Sequence, residues 1–296
     1  MSVNLPNHAV RQYADTIMLL LQQQGSRMRH AVTEGTYKGE QASPVDQFGL
    51  VEMQEVTTRF EEMTRTDADA DRRWVFPSSF DLMQLVDHFD LLKNLNDPKG
   101  KYVQNALQAA GRRVDRTLIT NMLGSNKTGK EGGTTTSFLA GNVIAVDHDS
   151  SVNTGMTTAK LIKAKEILLG HNVDVDNDPL FCGITSKENT SLLKEATVIS
   201  LDYNDRPVLV DGKIRSFMGF NFIHSELFGE NLSSGDHQCL AWAKSGVHLA
   251  LWEDVRTDVS QRKDLKGLPW QVYVWITLGA TRLEEKKVVN IKCDFA

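Results

Sequence analysis

The most regular alternation of apolar and polar positions lies at 99–123. There Val103, Ala106, Leu107, Ala110, Val114, Leu118 and Met122 recur at three- and four-residue spacing between Pro98 and Gly124. That period predicts a helix with one narrow apolar stripe. At 1.5 Å per residue it would run about 37 Å, a strut across the molecule. A weaker stripe opens the chain: Val10, Tyr13, Ile17, Leu20 and Leu21 follow Pro6-Asn7 and stop at Gly25. A helix this short is marginal alone, so residues 1–30 read as an arm that docks on something else. From Ser26 to Gly49 no helical period appears and turn formers accumulate, which predicts an extended excursion.

Residues 48–78 predict a long hairpin. Val51, Met53, Val56, Thr57, Thr58 and Phe60 form the rising strand, TDADAD (66–71) the polar tip, and Trp74, Val75 and Phe76 the return as far as Pro77. Its few apolar residues cannot stabilise two strands, so the hairpin projects and is held by a neighbour.

After Gly124 the pattern turns α/β. Thr157 and Thr158 can cap a helix running to Gly170; LFCGITS (180–186) reads as a buried strand and SKENTSLLKEA (186–196) as a helix. Strands are predicted at 207–210, 213–225 and 238–252. Alternation over Val272, Val274, Ile276 and Leu278 resumes at Val288, Val289 and Ile291.

Composition adds limits. At 296 residues, 41% hydrophobic and 24% charged, the chain has apolar mass for a real core. A net charge of −5 lacks the basic excess of a dedicated nucleic-acid binder, so contact with DNA should be local and weak. Cys182, Cys239 and Cys293 are odd in number, far apart and in no C-x-x-C arrangement, which predicts neither a disulfide framework nor a zinc site. The apolar run Ile17–Leu21 is too short to span a bilayer and has no signal-peptide flanks.

GSNKTGKEGGTTT (124–136) is one letter from a phosphate-binding loop: Gly124, Gly129 and Lys130 fit, and Glu131 replaces the Mg²⁺-holding hydroxyl. It follows a predicted helix rather than a strand and runs into Gly132-Gly133, so it reads as a glycine-rich connection. DADAD (67–71) and DVDND (174–178) resemble the start of a calcium loop but lack its glycine and closing glutamate, and read as solvated tips. Asp147-His148-Asp149 reads as a turn. No catalytic residues, cofactor or metal ligands are assigned, and the chain is expected not to be an enzyme.

Charge is uneven. Within 48–76 seven acids (Glu52, Glu55, Glu61, Glu62, Asp67, Asp69, Asp71) face four arginines (Arg59, Arg65, Arg72, Arg73). Within 99–123 five cations (Lys99, Lys101, Arg112, Arg113, Arg116) face only Asp115. Two solvated faces, or an acidic hairpin lying across the basic helix of another copy, both fit this contrast.

The order of elements resembles the major capsid protein of tailed bacteriophages, with the α+β Hong Kong 97-type fold. LLLQQQGSRMRHAVTEGTYKGE (19–40) is similar to the family's arm. GKIRSFMGFNFIHSELF (212–228) is similar to its "GF" passage, and AWAKSGVHLALWEDVRTDVS (241–260) with LGATRLEEKKVVNIKCD (278–294) to its late segments. The resemblance implies an N-terminal arm over 1–47, an extended E-loop hairpin over 48–78, and a peripheral domain over 79–157 with its spine helix at 99–123. It further implies an axial domain over about 158–255 and C-terminal strands over 256–296.

It also implies self-assembly into hexamers and pentamers that close an icosahedral shell around double-stranded DNA. The partners would be a separate scaffolding protein, a portal and room for a decoration protein, with no membrane. The implied location is the virion, assembled in the host bacterial cytoplasm. Inter-subunit contacts are expected from Glu55, Arg59, Glu61, Glu62, Arg65, Arg72, Arg73, Trp74, Arg112, Arg113 and Arg116, and a lumen-facing arm from Arg11, Arg27 and Arg29. An encapsulin-type compartment shares the fold; an ATP-using enzyme built on the loop and a tail or connector component are the rivals of other classes.

Overall fold

Short apolar runs without alternation, such as LFCGI and CLAWA, become strands buried on both faces. The computed structural model describes residues 22–55, 59, 65–86, 99–195, 209–210, 213–229 and 237–294. The helix predicted near the chain start falls largely outside them. In chain order the strands are β1 (Thr33–Thr36), β2 (Ala42–Phe48), β3 (Ala70–Val75) and β4 (Ser78–Val86), then helix α1 (Lys99–Leu123), β5 (Asn126–Thr128), β6 (Thr134–Thr136) and β7 (Val143–Ile144). There follow α2 (Thr158–Gly170), β8 (Leu180–Ile184), α3 (Ser186–Leu193), β9 (Leu209–Val210), β10 (Lys213–Ile214), β11 (Ser216–Phe217) and β12 (Phe220–His224). Last come β13 (His237–Ala243), β14 (Val247–Gln261), β15 (Trp270–Arg282) and β16 (Val288–Cys293).

A six-stranded mixed sheet, ordered β11-β12-β8-β13-β16-β7, is the centre of the molecule. Its strands alternate between two cores, as the two-residue period requires. Leu180, Cys182 and Ile184 with Cys239, Ala241, Ala243, Val289, Ile291 and Cys293 meet Leu161, Ala164 and Leu168 of α2 and Leu192 of α3. Phe181, Leu240, Trp242 and Val288 face the other way, toward Met28, Val114, Leu118, Ile119 and Met122. Trp242 is fully buried and its indole N–H donates to Ala31 O at 2.9 Å.

The second sheet, β1-β14-β15-β4, is built on the long antiparallel pair β14–β15. Helix α1 occupies the span that its spacing predicts and lies on this sheet, with Ala106 and Ala110 against Val272 and Val274. Leu107, assigned to the stripe, is instead 42% exposed. At Gly111 the incoming chain crosses the helix so closely that a Cβ would stand 2.4 Å from the carbonyl carbon of Gly25. Gly25 itself has φ +66°, open to glycine without strain.

Several expectations need correction. The hairpin's paired base is β2 with β3, Val45 opposite Arg73 and Phe48 opposite Ala70; residues 51–55 are not strand, and 56–58 and 60–64 lie outside the described residues. The strand read at 213–225 is broken by a tight turn, Met218 (φ +53°) and Gly219 (φ +86°), between β11 and β12. The strand read at 238–252 is two strands in different sheets, parted at Lys244–Gly246. The connection at 124–136 is an ordered hairpin, β5–β6, that extends the limb sheet β2-β3-β5-β6. Strands β1 and β4 were not predicted; β1 pairs in parallel with β14, so part of the arm is built into the body. Asp147–Asp149 do form a turn, with Asp149 at φ +60°.

Candidate functional site

The limb is held at its foot and bare beyond it. Past the last pair, Gly49 N–H donates to Asp69 O at 2.6 Å, and the chain then leaves regular structure. There Phe48 is 77% exposed, Leu50 91% and Val51 48%, and Met53 is wholly exposed. Glu55, Arg59 and Arg65 are exposed on the same limb, and Arg65 pairs with Asp67 at 2.9 Å. Glu61 and Glu62 lie outside the described residues.

The foot is tied through one acid. Arg73, nearly buried, donates to Glu285 at 3.2 Å and to Gln47 at 3.1 Å. Arg282, fully buried, donates to the other oxygen of Glu285 and caps α1, reaching Met122 O and Gly124 O at 2.6 Å. A cation there satisfies orphan carbonyls and meets the negative end of the helix dipole. Burial pushes the Arg282 guanidinium down from its ordinary range, against the pull of Glu285. Arg72 pairs with Asp46 on the exposed side, where solvent screens the ion pair.

The phosphate-loop lookalike belongs to this foot. Gly129 N–H, the kind of donor that would face a phosphate, donates to Asp71 Oδ1 at 2.9 Å, and Gly129 O accepts from the Trp74 indole at 2.7 Å. Gly132 (φ +73°) lies under the same ring, where a Cβ would approach to 3.1 Å. The segment follows a helix and opens a strand pair, the reverse of the strand-to-helix setting that aims backbone N–H groups at phosphate. Its glycines let Trp74 of the limb lie flat on it.

On α1 the charged residues divide. Arg112 donates to Gln22 Oε1 at 2.6 Å, and Arg113 lies over the Phe80 ring at 3.8 Å while exposed. Arg116 is exposed and partnered. Asp115, read from the sequence only as one charge, is fully buried and does the most. It accepts from Gln23 and Ser26 side chains at 2.5 Å, Arg27 N–H at 2.9 Å and Met28 N–H at 3.2 Å, fixing the entering chain to the helix. The available signal was its place on the buried face, between Gly111 and Leu118.

The arm's cations are also engaged. Arg27 donates to His224 O, and Arg29 forks onto both Glu34 and Asp254, which holds the Asp254 carboxyl below its ordinary range. Arg11 lies outside the described residues. Between α1 and β4–β15 a cleft of about 370 Å³ is floored by Ala106, Ala110 and Ile276, walled by Phe80 and Leu82, and rimmed by Arg113.

The buried thiols give no nucleophile: burial pushes Cys182 and Cys239 far up, away from the thiolate form. Among the described residues no helix is long and apolar enough to cross a membrane.

A family profile described as phage capsid protein matches residues 5–295. No curated protein matches the sequence. Among solved structures, the capsid of cyanophage P-SCSP1u superposes with a TM-score of 0.76 at 14% identity, covering 98% of this chain and 94% of that one. The cyanophage Pam1 capsid gives 0.73 at 11%, covering 99% and 98%. The Ralstonia phage GP4 capsid gives 0.71 at 9%, covering 100% and 98%. The fold is therefore the Hong Kong 97-type capsid fold.

Proposed function

The chain belongs to the phage capsid protein family, and from that premise we propose that its copies form the hexamers and pentamers of an icosahedral shell around double-stranded DNA. The exposed run from Phe48 to Met53 carries this reading. Burying one such side chain contributes about 1.5–3 kcal/mol, and among the described residues of its own chain none covers it. A neighbouring copy provides the cover, many modest contacts act together through effective concentration, and a closing rotation ends the assembly as a shell.

The cleft beside α1 is the matching surface. Its apolar floor suits Leu50 and Met53, and Arg113 on its rim suits Glu52 and Glu55. Arg59, Arg65, Arg72 and Arg116 then serve the rim of the contact. Arg73, Trp74 and Arg112, already engaged at home, set the limb's angle and the helix surface. Of the arm, Arg29 adds little attraction for DNA, because Glu34 and Asp254 match its charge.

The domain division follows the resemblance: arm 1–47, limb 48–78, peripheral 79–157, axial about 158–255, and returning strands 256–296. The central sheet with α2 and α3 supports the axial unit, with β7 and β16 added from outside that range. A scaffolding protein and a portal complete the proposed assembly in the host cytoplasm.

Negative-stain microscopy of the expressed chain, with and without its neighbouring genes, tests the reading. Closed shells are expected; rings or tubes would assign a connector or tail. A nuclease digest of filled particles separates a genome shell from a cargo compartment. Titration with ATP should give no binding, since the loop's Gly129 N–H is occupied by Asp71.

A further inference from the structure

We propose that Glu188, Cys239 and Cys293 bind one thiolate-preferring divalent metal ion, such as zinc, beneath helix α3. The three cysteines of this chain stand at positions 182, 239 and 293, yet all lie buried in one core, on one face of the central sheet. Cys182 comes from β8, Cys239 from β13 and Cys293 from β16. The ligand atoms of Glu188, Cys239 and Cys293 lie within 4.8 Å of one another, and each residue is buried. Two thiols and a carboxylate are a zinc donor set, whereas calcium and magnesium prefer oxygen alone.

Glu188 is also oriented as a metal-binding carboxylate is. It stands in the capping box of α3, and one of its oxygens accepts from Thr185 N–H at 2.8 Å and from the Thr185 hydroxyl. The other lies 3.1 Å from His237 Nδ1, so the ring orients the carboxylate from the site's more accessible edge. On binding, Cys239 and Cys293 each release a proton to solvent, two metal–sulfur bonds and one metal–oxygen bond form, and nothing is oxidised or reduced. The ion ties the end of the last strand to β13 and α3, a staple that neither the spacing of the cysteines nor the shell reading implies.

Metal analysis of the purified full-length protein, kept reduced, should find about one zinc ion per chain. Replacement by Co²⁺ should give the thiolate-to-metal charge-transfer absorption of a tetrahedral site. Both signals should vanish in the Cys239→Val/Cys293→Ala double variant, which keeps the core apolar, while Cys182→Ala retains them. Chelation should lower the melting temperature of the wild-type protein and leave that of the double variant unchanged. Metal-free wild-type protein that takes up neither zinc nor Co²⁺ would overturn the proposal, as would thiol counting that finds Cys239 and Cys293 joined in a disulfide. Shell formation by metal-free protein would leave the capsid reading intact, so the two ideas fail separately.

Discussion

The central sheet and the limb sheet use the same backbone pairing to opposite ends. In the central sheet, β8 is buried along its whole length and both faces are covered, by α2 and α3 on one side and α1 on the other. In the limb sheet, β2 and β3 are pinned to the body by Arg73 and Trp74, and Phe48 at the outer end, with Leu50 and Met53 beyond it, is left to solvent. The first has its interfaces filled by its own chain. The second carries apolar area that no described residue of the same chain covers. A subunit that folds alone but cannot finish alone is what a closed assembly requires.

Substitutions at graded distances from the central sheet sharpen that contrast. Trp242→Ala should cost the most, about 3–5 kcal/mol, because it empties the centre of one core and orphans Ala31 O; chemical denaturation reads it directly. Gly111→Ala should cost less. Its methyl would meet the Gly25 and Ser26 backbone, a strain of about 1–3 kcal/mol that exceeds the roughly 1 kcal/mol gain in helix propensity. Faster proteolysis near residues 22–27 would mark the released chain.

A smaller effect is set by pH. Thr33 Oγ1 donates to Val247 O at 2.8 Å, so it accepts from His248 Nδ1 at 2.9 Å, and Nε2 accepts the Tyr37 hydroxyl at 2.9 Å. Burial pushes the His248 pKa below its ordinary 6.5, with Glu34 opposing. The unfolded chain therefore takes up the proton first. The stabilisation by the neutral ring is complete above pH 6.5 and is lost as pH falls through the lowered folded value. His248→Gln should flatten that decline in a melting-temperature series.

Smallest in stability is the limb. Leu50→Ser/Met53→Ser should leave the subunit within about 0.5 kcal/mol of wild type, since neither side chain is buried, yet particle yield should collapse. Normal particles from this variant would break the comparison.

What could be read in advance followed from local periodicity. Helix α1 and the Thr157-capped α2 appeared at their predicted spans, because a three- or four-residue repeat, a proline or a capping hydroxyl acts within a turn or two. The limb's register escaped, because β2 contains Pro44 and mixed polarity and is a strand only by pairing with β3. Likewise β1 exists as the parallel partner of β14, and the lookalike loop is ordered by Asp71 and Trp74.

The sequence by itself determined the family resemblance, the long helix and the Thr157-capped α2, since each rests on neighbours along the chain. Only the tertiary structure decided that Asp115 anchors the entering chain, that Arg73 and Arg282 share Glu285, and that the distant Cys239 and Cys293 meet at Glu188. Those meetings depend on which strands lie side by side, and residues separated by tens or hundreds of positions carry no local trace of it.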